Sequence, residues 1–324
     1  MDEFNNIPDI QEPENKEPDE NFKELSPLSR IHPKISPIAA AFIGLFGGFF
    51  LYQFVGGLLT LLIFGLNLQN APVNSMRLMT MAGQILFILL PALIFAKFFY
   101  EDVTEIIRFK FPKWEEILLF TLGMIILTPL IQYYLSIQNY FIDLWAASSP
   151  FIHSAKSLLD KLNDLVDKTY GNLLSAHSVL GVLLVIIVVS IVPAVCEEVM
   201  FRGYIQRSFE FKMKPIWAAL ITAVFFGLYH FNPYALLPLM ALGFYFGFAA
   251  YKSNSIFVPM SMHFLNNFVA IIFYFIYGDD NIINSAVDKD FKLGPALMMF
   301  LGLAVLLAGV VLMIKKYYSS REKG

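Results

Sequence analysis

Eight apolar runs of near-spanning length, separated by polar loops, constrain this chain more than any other feature. They fall at about 38–66, 79–96, 115–138, 175–196, 215–229, 234–251, 256–277 and 293–314. A membrane helix needs roughly 20 apolar residues, about 17 at the short end. The runs therefore predict an all-α polytopic transmembrane helical bundle of about eight spans. The fifth run is short, and is expected to borrow length from the residues around His230 or to be partly re-entrant. Composition agrees: 57% of residues are hydrophobic and 15% charged, where soluble domains run about 45–50% and about 25%.

Charge bias orients the spans. Lys97, Arg108, Lys110 and Lys113 crowd the loop after the second run, and Arg207, Lys212 and Lys214 follow the fourth. Lys252 follows the sixth, and Lys315, Lys316, Arg321 and Lys323 follow the eighth. Loops on the other side carry Arg77 alone, or Asp279, Asp280, Asp288 and Asp290. The positive-inside rule then places both termini in the cytoplasm of a multi-pass protein of the cell membrane. This alternation works with eight spans and fails with seven.

The regions outside the spans read differently. Residues 1–37 form a polar tail that is expected to be disordered, with nine Asp/Glu in the first 24 residues against Lys16 and Lys23. No cleavable leader is expected there. Residues 139–174 are expected outside the bilayer. Leu158, Leu159, Leu162, Leu165 and Val166 recur there at helical spacing between charges, as an amphipathic helix lying in the headgroup plane or roofing the bundle. Residues 315–324 form a cytoplasmic tail. A net charge of −3 gives no hint of nucleic-acid binding, and the single cysteine, Cys196, excludes an internal disulfide and any cysteine-cluster metal site.

Three polar insertions interrupt the apolar runs, all within residues 175–275. An ionisable group at membrane depth is a functional-site hypothesis by default. The first insertion is Cys196-Glu197-Glu198-Val199-Met200-Phe201-Arg202-Gly203, read as the cytoplasmic end of the fourth span. Adjacent helical residues point about 100° apart, so the two carboxylates need not share a task. Glu198 and Arg202 stand at the favourable i,i+4 spacing for an ion pair. Glu197 has no such partner nearby in sequence, and an unpaired carboxylate in a low-dielectric site is a plausible general base. The second insertion ends at His230, stopped by Asn232 and Pro233, with Gly227 expected to clear space beside the ring. The third places His263 and Asn267 on one face of a helix, where Asn267 would orient His263 or donate to an oxyanion. Glu197, His230 and His263 also match a ligand set for catalytic zinc. Sequence alone does not separate a zinc-bound water from one activated by Glu197 without metal.

These motifs resemble the CPBP family of intramembrane proteases, the CAAX-processing and bacteriocin-processing group also called Abi and related to Rce1-type prenyl-protein endopeptidases. The family pattern is Glu-Glu-x-x-x-Arg, then Phe-x-x-x-His, then His-x-x-x-Asn. Here it is met by Glu197, Glu198 and Arg202, by Phe226 and His230, and by His263 and Asn267. The resemblance implies an endopeptidase acting on a membrane-associated or lipidated protein or peptide. It assigns Glu197 as base, His230 as its assistant, His263 and Asn267 to the oxyanion side, and Glu198 with Arg202 to supporting the helix. Two other classes stand beside it: an inactive scaffold binding peptides in the same cavity, and a transporter. The transporter is disfavoured, because the polar residues cluster in one half without a repeated broken-helix pattern.

Overall fold

The computed structural model describes residues 31–66, 71–176, 178–277 and 291–321. Most of the acidic tail, the aspartates at 279–290 and Lys323 lie outside the described residues. Among those described there is no strand. The molecule is an all-α bundle of α1 (Pro37–Phe64), α2 (Val73–Tyr100), the short α3 (Val103–Ile106), α4 (Trp114–Ser148) and α5 (Pro150–Leu174). These lead to α6 (Val179–Glu210), α7 (Pro215–Tyr229), α8 (Leu236–Ser253), α9 (Phe257–Tyr277) and α10 (Leu293–Arg321). Six of them, α1, α2, α4, α6, α9 and α10, are long and apolar enough to cross a membrane. This is a multi-pass membrane protein.

Helix α6 is the axle of the bundle. One apolar cluster joins it to α1, α2 and α7 through Leu45, Ala92, Met200, Tyr204 and Phe226. A second joins α4, α8, α9 and α10 through Phe120, Phe246, Met262 and Val310. Wide π-type turns interrupt the helix at Ile186–Ile191 and Val199–Ile205, on either side of the two glutamates. Such turns release backbone carbonyls from the regular ladder and recur at functional sites.

Two elements differ from their expected ends. The fourth apolar run does not stop at Glu197: the helix continues to Glu210. Its later polar residues sustain it because they are buried and partnered. Arg207 is not a loop charge but pairs with Glu210 and Glu105, and Arg108 pairs with Glu210 and donates to the Arg202 carbonyl at 2.7 Å. Likewise the third helix runs through to Ser148, so residues 139–174 divide between the end of α4 and the whole of α5.

Helix α7 spans about 22 Å at 1.5 Å per residue, short of a hydrocarbon core about 30 Å thick. Within a bilayer core an unsatisfied backbone group in its turn into α8 would cost several kcal/mol. Long amides from distant helices answer it: Gln53 donates to the Tyr229 carbonyl at 3.2 Å and Gln138 to the Tyr234 carbonyl at 3.0 Å. The Asn232 side chain accepts from the Ala235 amide. Helix α5 lies over this turn, held by a hydrogen bond from Tyr234 to Asp160. Phe151, Leu158, Leu162 and Leu165 face outward, so the apolar stripe is presented to the surroundings, as an interfacial helix requires. The far end of α5 is pinned by Arg77. That residue is a buried member of α2 rather than a loop charge, and it donates to the Leu173 carbonyl at 2.9 Å and to the Ser175 carbonyl.

Loss of this pin is testable. A hydrogen bond from a charged group contributes about 1.5–3 kcal/mol, and 1.4 kcal/mol is about tenfold in an equilibrium. Arg77→Ala should therefore raise tryptic cleavage after Lys161 and Lys168 by about tenfold or more. An unchanged digestion rate would show that α5 is held by other means.

Candidate active site

The wide turns and the i,i+4 spacing set the two glutamates in different surroundings. Glu198 is fully buried, and one carboxylate oxygen, Oε1, lies 3.0 Å from Arg202 Nη1 and 2.7 Å from His263 Nδ1. A carboxylate oxygen only accepts there, so His263 carries its proton on Nδ1. Arg202 is equally buried, and its Nη2 donates to the Gly243 carbonyl at 3.1 Å. Gly243 permits this approach: a Cβ at that position would stand 2.9 Å from the Phe226 ring and 3.3 Å from Arg202 Nη2. The rings of Phe226, Phe246 and Phe201 enclose the guanidinium, with its carbon 4.3 Å, 5.4 Å and 5.7 Å from their centroids.

Glu197 turns to the other side of α6. It is half-buried, its Oε2 is buried, and that oxygen has no hydrogen-bond partner among the described residues. It takes part in none of the ion pairs among them. Its carboxylate lies within electrostatic reach of Tyr52 on α1, Tyr170 on α5 and neighbouring Cys196.

His230 closes α7, and its Nδ1 lies 2.7 Å from the Phe226 carbonyl. A carbonyl cannot donate, so Nδ1 is protonated and Nε2 of the neutral ring holds a lone pair. Gly227 does not open space beside this ring. A Cβ there would meet Met240 at 2.9 Å and the Leu236 carbonyl at 3.0 Å, so the glycine lets α8 pack against α7. Asn267 donates to the Val189 carbonyl at 3.0 Å, a group in the first wide turn of α6, and the Ser190 hydroxyl reciprocates to the Phe264 carbonyl at 2.9 Å. One amide hydrogen of Asn267 therefore stitches α9 to α6. Phe226 is the member that sequence reasoning undervalued, because an apolar residue in an apolar run carries no signal of its own. Its ring stands 4.8 Å from that of His230, 6.1 Å from that of His263 and 5.3 Å from Phe201.

Residues 179–269 match the family model described as type II CAAX prenyl endopeptidase Rce1-like. Over that stretch, less than a third of its length, the chain is similar to the Rce1-like family. Over 90 residues it is also 39% identical to a Bacillus subtilis (strain 168) protein named "Putative membrane peptidase YdiL". That match covers 28% of this chain and 37% of the relative, so just over a third of the relative's length is spanned. No solved structure matches. Glu197, Glu198, Arg202, Phe226, His230, His263 and Asn267 all lie within the matched residues 179–269, whereas Tyr52, Gln84 and Tyr170 lie outside them.

The zinc ligand set read from the sequence is not assembled. Among the described residues no three His, Cys, Asp or Glu side chains group so as to hold a metal ion. Glu197, His230 and His263 are divided instead between the unpaired carboxylate, the α7 terminus and the Glu198 cluster. These residues do not fit the metal, and no chemical step below passes through one.

The Glu198 cluster makes a stability prediction. Removing one partner of a buried ion pair leaves an uncompensated charge and costs about 3–5 kcal/mol. Arg202→Met should lower thermal stability in detergent by that order. The double variant Glu198→Leu, Arg202→Met should recover part of it. A double variant less stable than Arg202→Met alone would contradict this account.

Proposed function

We propose that this protein is an intramembrane endopeptidase of the cytoplasmic membrane, cutting a membrane-associated protein or peptide with a water activated by Glu197. The observation that carries the reading is the division of the glutamate pair. Glu198 is paired with Arg202 and His263, while Glu197 makes no ion pair among the described residues, although each keeps a buried Oε2 without a donor. The match to the Rce1-like model and the peptidase name of the Bacillus protein support the reaction class. The absence of an ion pair on Glu197 disfavours a passive scaffold, for which that carboxylate would be better neutralised.

In this reading Glu197 takes a proton from water as the oxygen attacks the scissile carbonyl, and the carbonyl π pair moves to oxygen. The tetrahedral species collapses as the C–N bond breaks, and the departing nitrogen receives the proton from Glu197. His230 assists through Nε2, the nitrogen left as an acceptor by its bond to Phe226. The remaining Asn267 amide hydrogen faces the oxyanion side. His263 is held in place by its Nδ1 contact with Glu198. The end of the bundle where the 101–113, 211–214 and 254–256 loops meet is taken to face the cytoplasm, following its basic residues.

General acid–base catalysis contributes about 10²–10⁴-fold. Glu197→Gln should therefore lower kcat for membrane-associated peptides by about that factor, in purified protein with an unchanged melting temperature. Equal rates for Glu197→Gln, His230→Ala and wild type would sink the proposal. Activity should survive a strong chelator at equilibrium. Its loss, with recovery on adding zinc, would move the water onto a metal.

A further inference from the structure

The side of α6 that bears Glu197 is walled by residues that lie outside the matched residues 179–269. Tyr52 on α1 is within electrostatic reach of both Glu197 and Tyr170, and the Gln84 side chain adjoins its hydroxyl. The Tyr52 ring rests on the backbone of α2: a Cβ on Gly83 would lie 3.4 Å from it, one residue before Gln84. Helix α2 in turn packs directly on the Val192–Glu198 stretch of α6. Tyr170 is exposed on α5 and forms the rim.

Gln84 is only 7% exposed, and its Oε1, like Oε2 of Glu197, is buried with no hydrogen-bond partner among the described residues. Two such acceptors on one wall call for a donor from outside the chain, since an unsatisfied buried acceptor costs about 1–3 kcal/mol. The titratable groups that act on Tyr52 are Glu197, Tyr170 and Cys196, with no cation among them. Such a wall repels an anionic ligand and accepts a neutral N–H. An extended peptide backbone supplies one, with its side chains alternating to either side.

We propose that Gln84 is a substrate-binding residue, its amide oxygen accepting a backbone N–H of an extended peptide and so fixing that strand against Glu197, with Tyr52 and Tyr170 as the walls. This rests on the peptidase reading above. The bond is made equally before and during reaction, so its loss should appear in KM rather than kcat. A neutral hydrogen bond contributes about 0.5–1.5 kcal/mol net, or roughly 3- to 10-fold.

The test uses the full-length protein in liposomes, an internally quenched peptide that the wild type cleaves, and versions of that peptide N-methylated at single bonds. Gln84→Met, close in shape, should raise KM about 3- to 10-fold with kcat nearly unchanged and an unchanged melting temperature. One N-methylated peptide should lose a similar factor with the wild type and nothing further with Gln84→Met. Wild-type kinetics in Gln84→Met would overturn the proposal. So would methylation penalties that are all retained in that variant, because a packing role leaves them untouched. If Glu197→Gln cleaves as fast as wild type, or if the wild type cleaves no peptide in a broad apolar library, the peptidase reading itself falls and this proposal with it.

Discussion

One carboxylate oxygen, Oε1 of Glu198, holds the centre of this bundle together. It meets Arg202 from its own helix and His263 from α9, and Arg202 reaches on to the Gly243 carbonyl of α8. Three helices are thereby fixed in rotation and depth by bonds that water does not reach. A buried ion pair is weak evidence for stability, because desolvation offsets its attraction. Its consequence here is register. If α9 or α8 slid by one turn, Glu198 would lose His263 or Arg202 would lose the Gly243 carbonyl, which the apolar surroundings make expensive. The aromatic rings of Phe201, Phe226 and Phe246 stand around the guanidinium and strengthen that exclusivity.

The same economy of polar groups governs the backbone. Wide turns in α6 expose carbonyls, and each is met from elsewhere: Asn267 takes Val189 and Arg108 takes Arg202. The turn after the short α7 is met likewise: Gln53 of α1 donates to the Tyr229 carbonyl and Gln138 of α4 to the Tyr234 carbonyl. Irregular backbone at membrane depth is tolerable only where protein surrounds it. The irregular places are therefore also the places where distant helices are tied together, and the glutamates sit between them.

The bundle was legible because lipid imposes long apolar runs, and all eight runs correspond to helices. The pairing of Glu198 with Arg202 was legible because it is local, four residues apart on one helix. What escaped the sequence was non-local. Nothing in the run around Arg207 says that Glu105 and Arg108 will come from another segment to pair with Arg207 and Glu210, so sequence alone ends α6 too early. Arg77 read as a loop charge for the same reason, its acceptors being carbonyls nearly a hundred residues away. His263 was set beside Glu197 on the strength of a ligand set, whereas its ring nitrogen is bonded to Glu198. Spacing along a helix gives the face that a residue presents, but not which of two neighbouring glutamates that face will meet.

The asymmetry of the pair follows from which side of α6 each glutamate looks to. On one side, Arg202 of α6 itself and His263 of α9 close on Oε1, and α8 holds Arg202 through the Gly243 carbonyl. On the other, α1, α2 and α5 supply phenols and an amide, which cannot neutralise a carboxylate and do not cover its second oxygen. Only the second environment leaves its carboxylate without a cation. A reaction at Glu197 therefore depends on Glu198 being inert: if both carboxylates were unpaired, mutual repulsion would drive a proton onto one of them and blunt it as a base. The lattice around Glu198 thus contributes to chemistry without touching the reacting atoms, by keeping its own negative charge spent on Arg202 and His263.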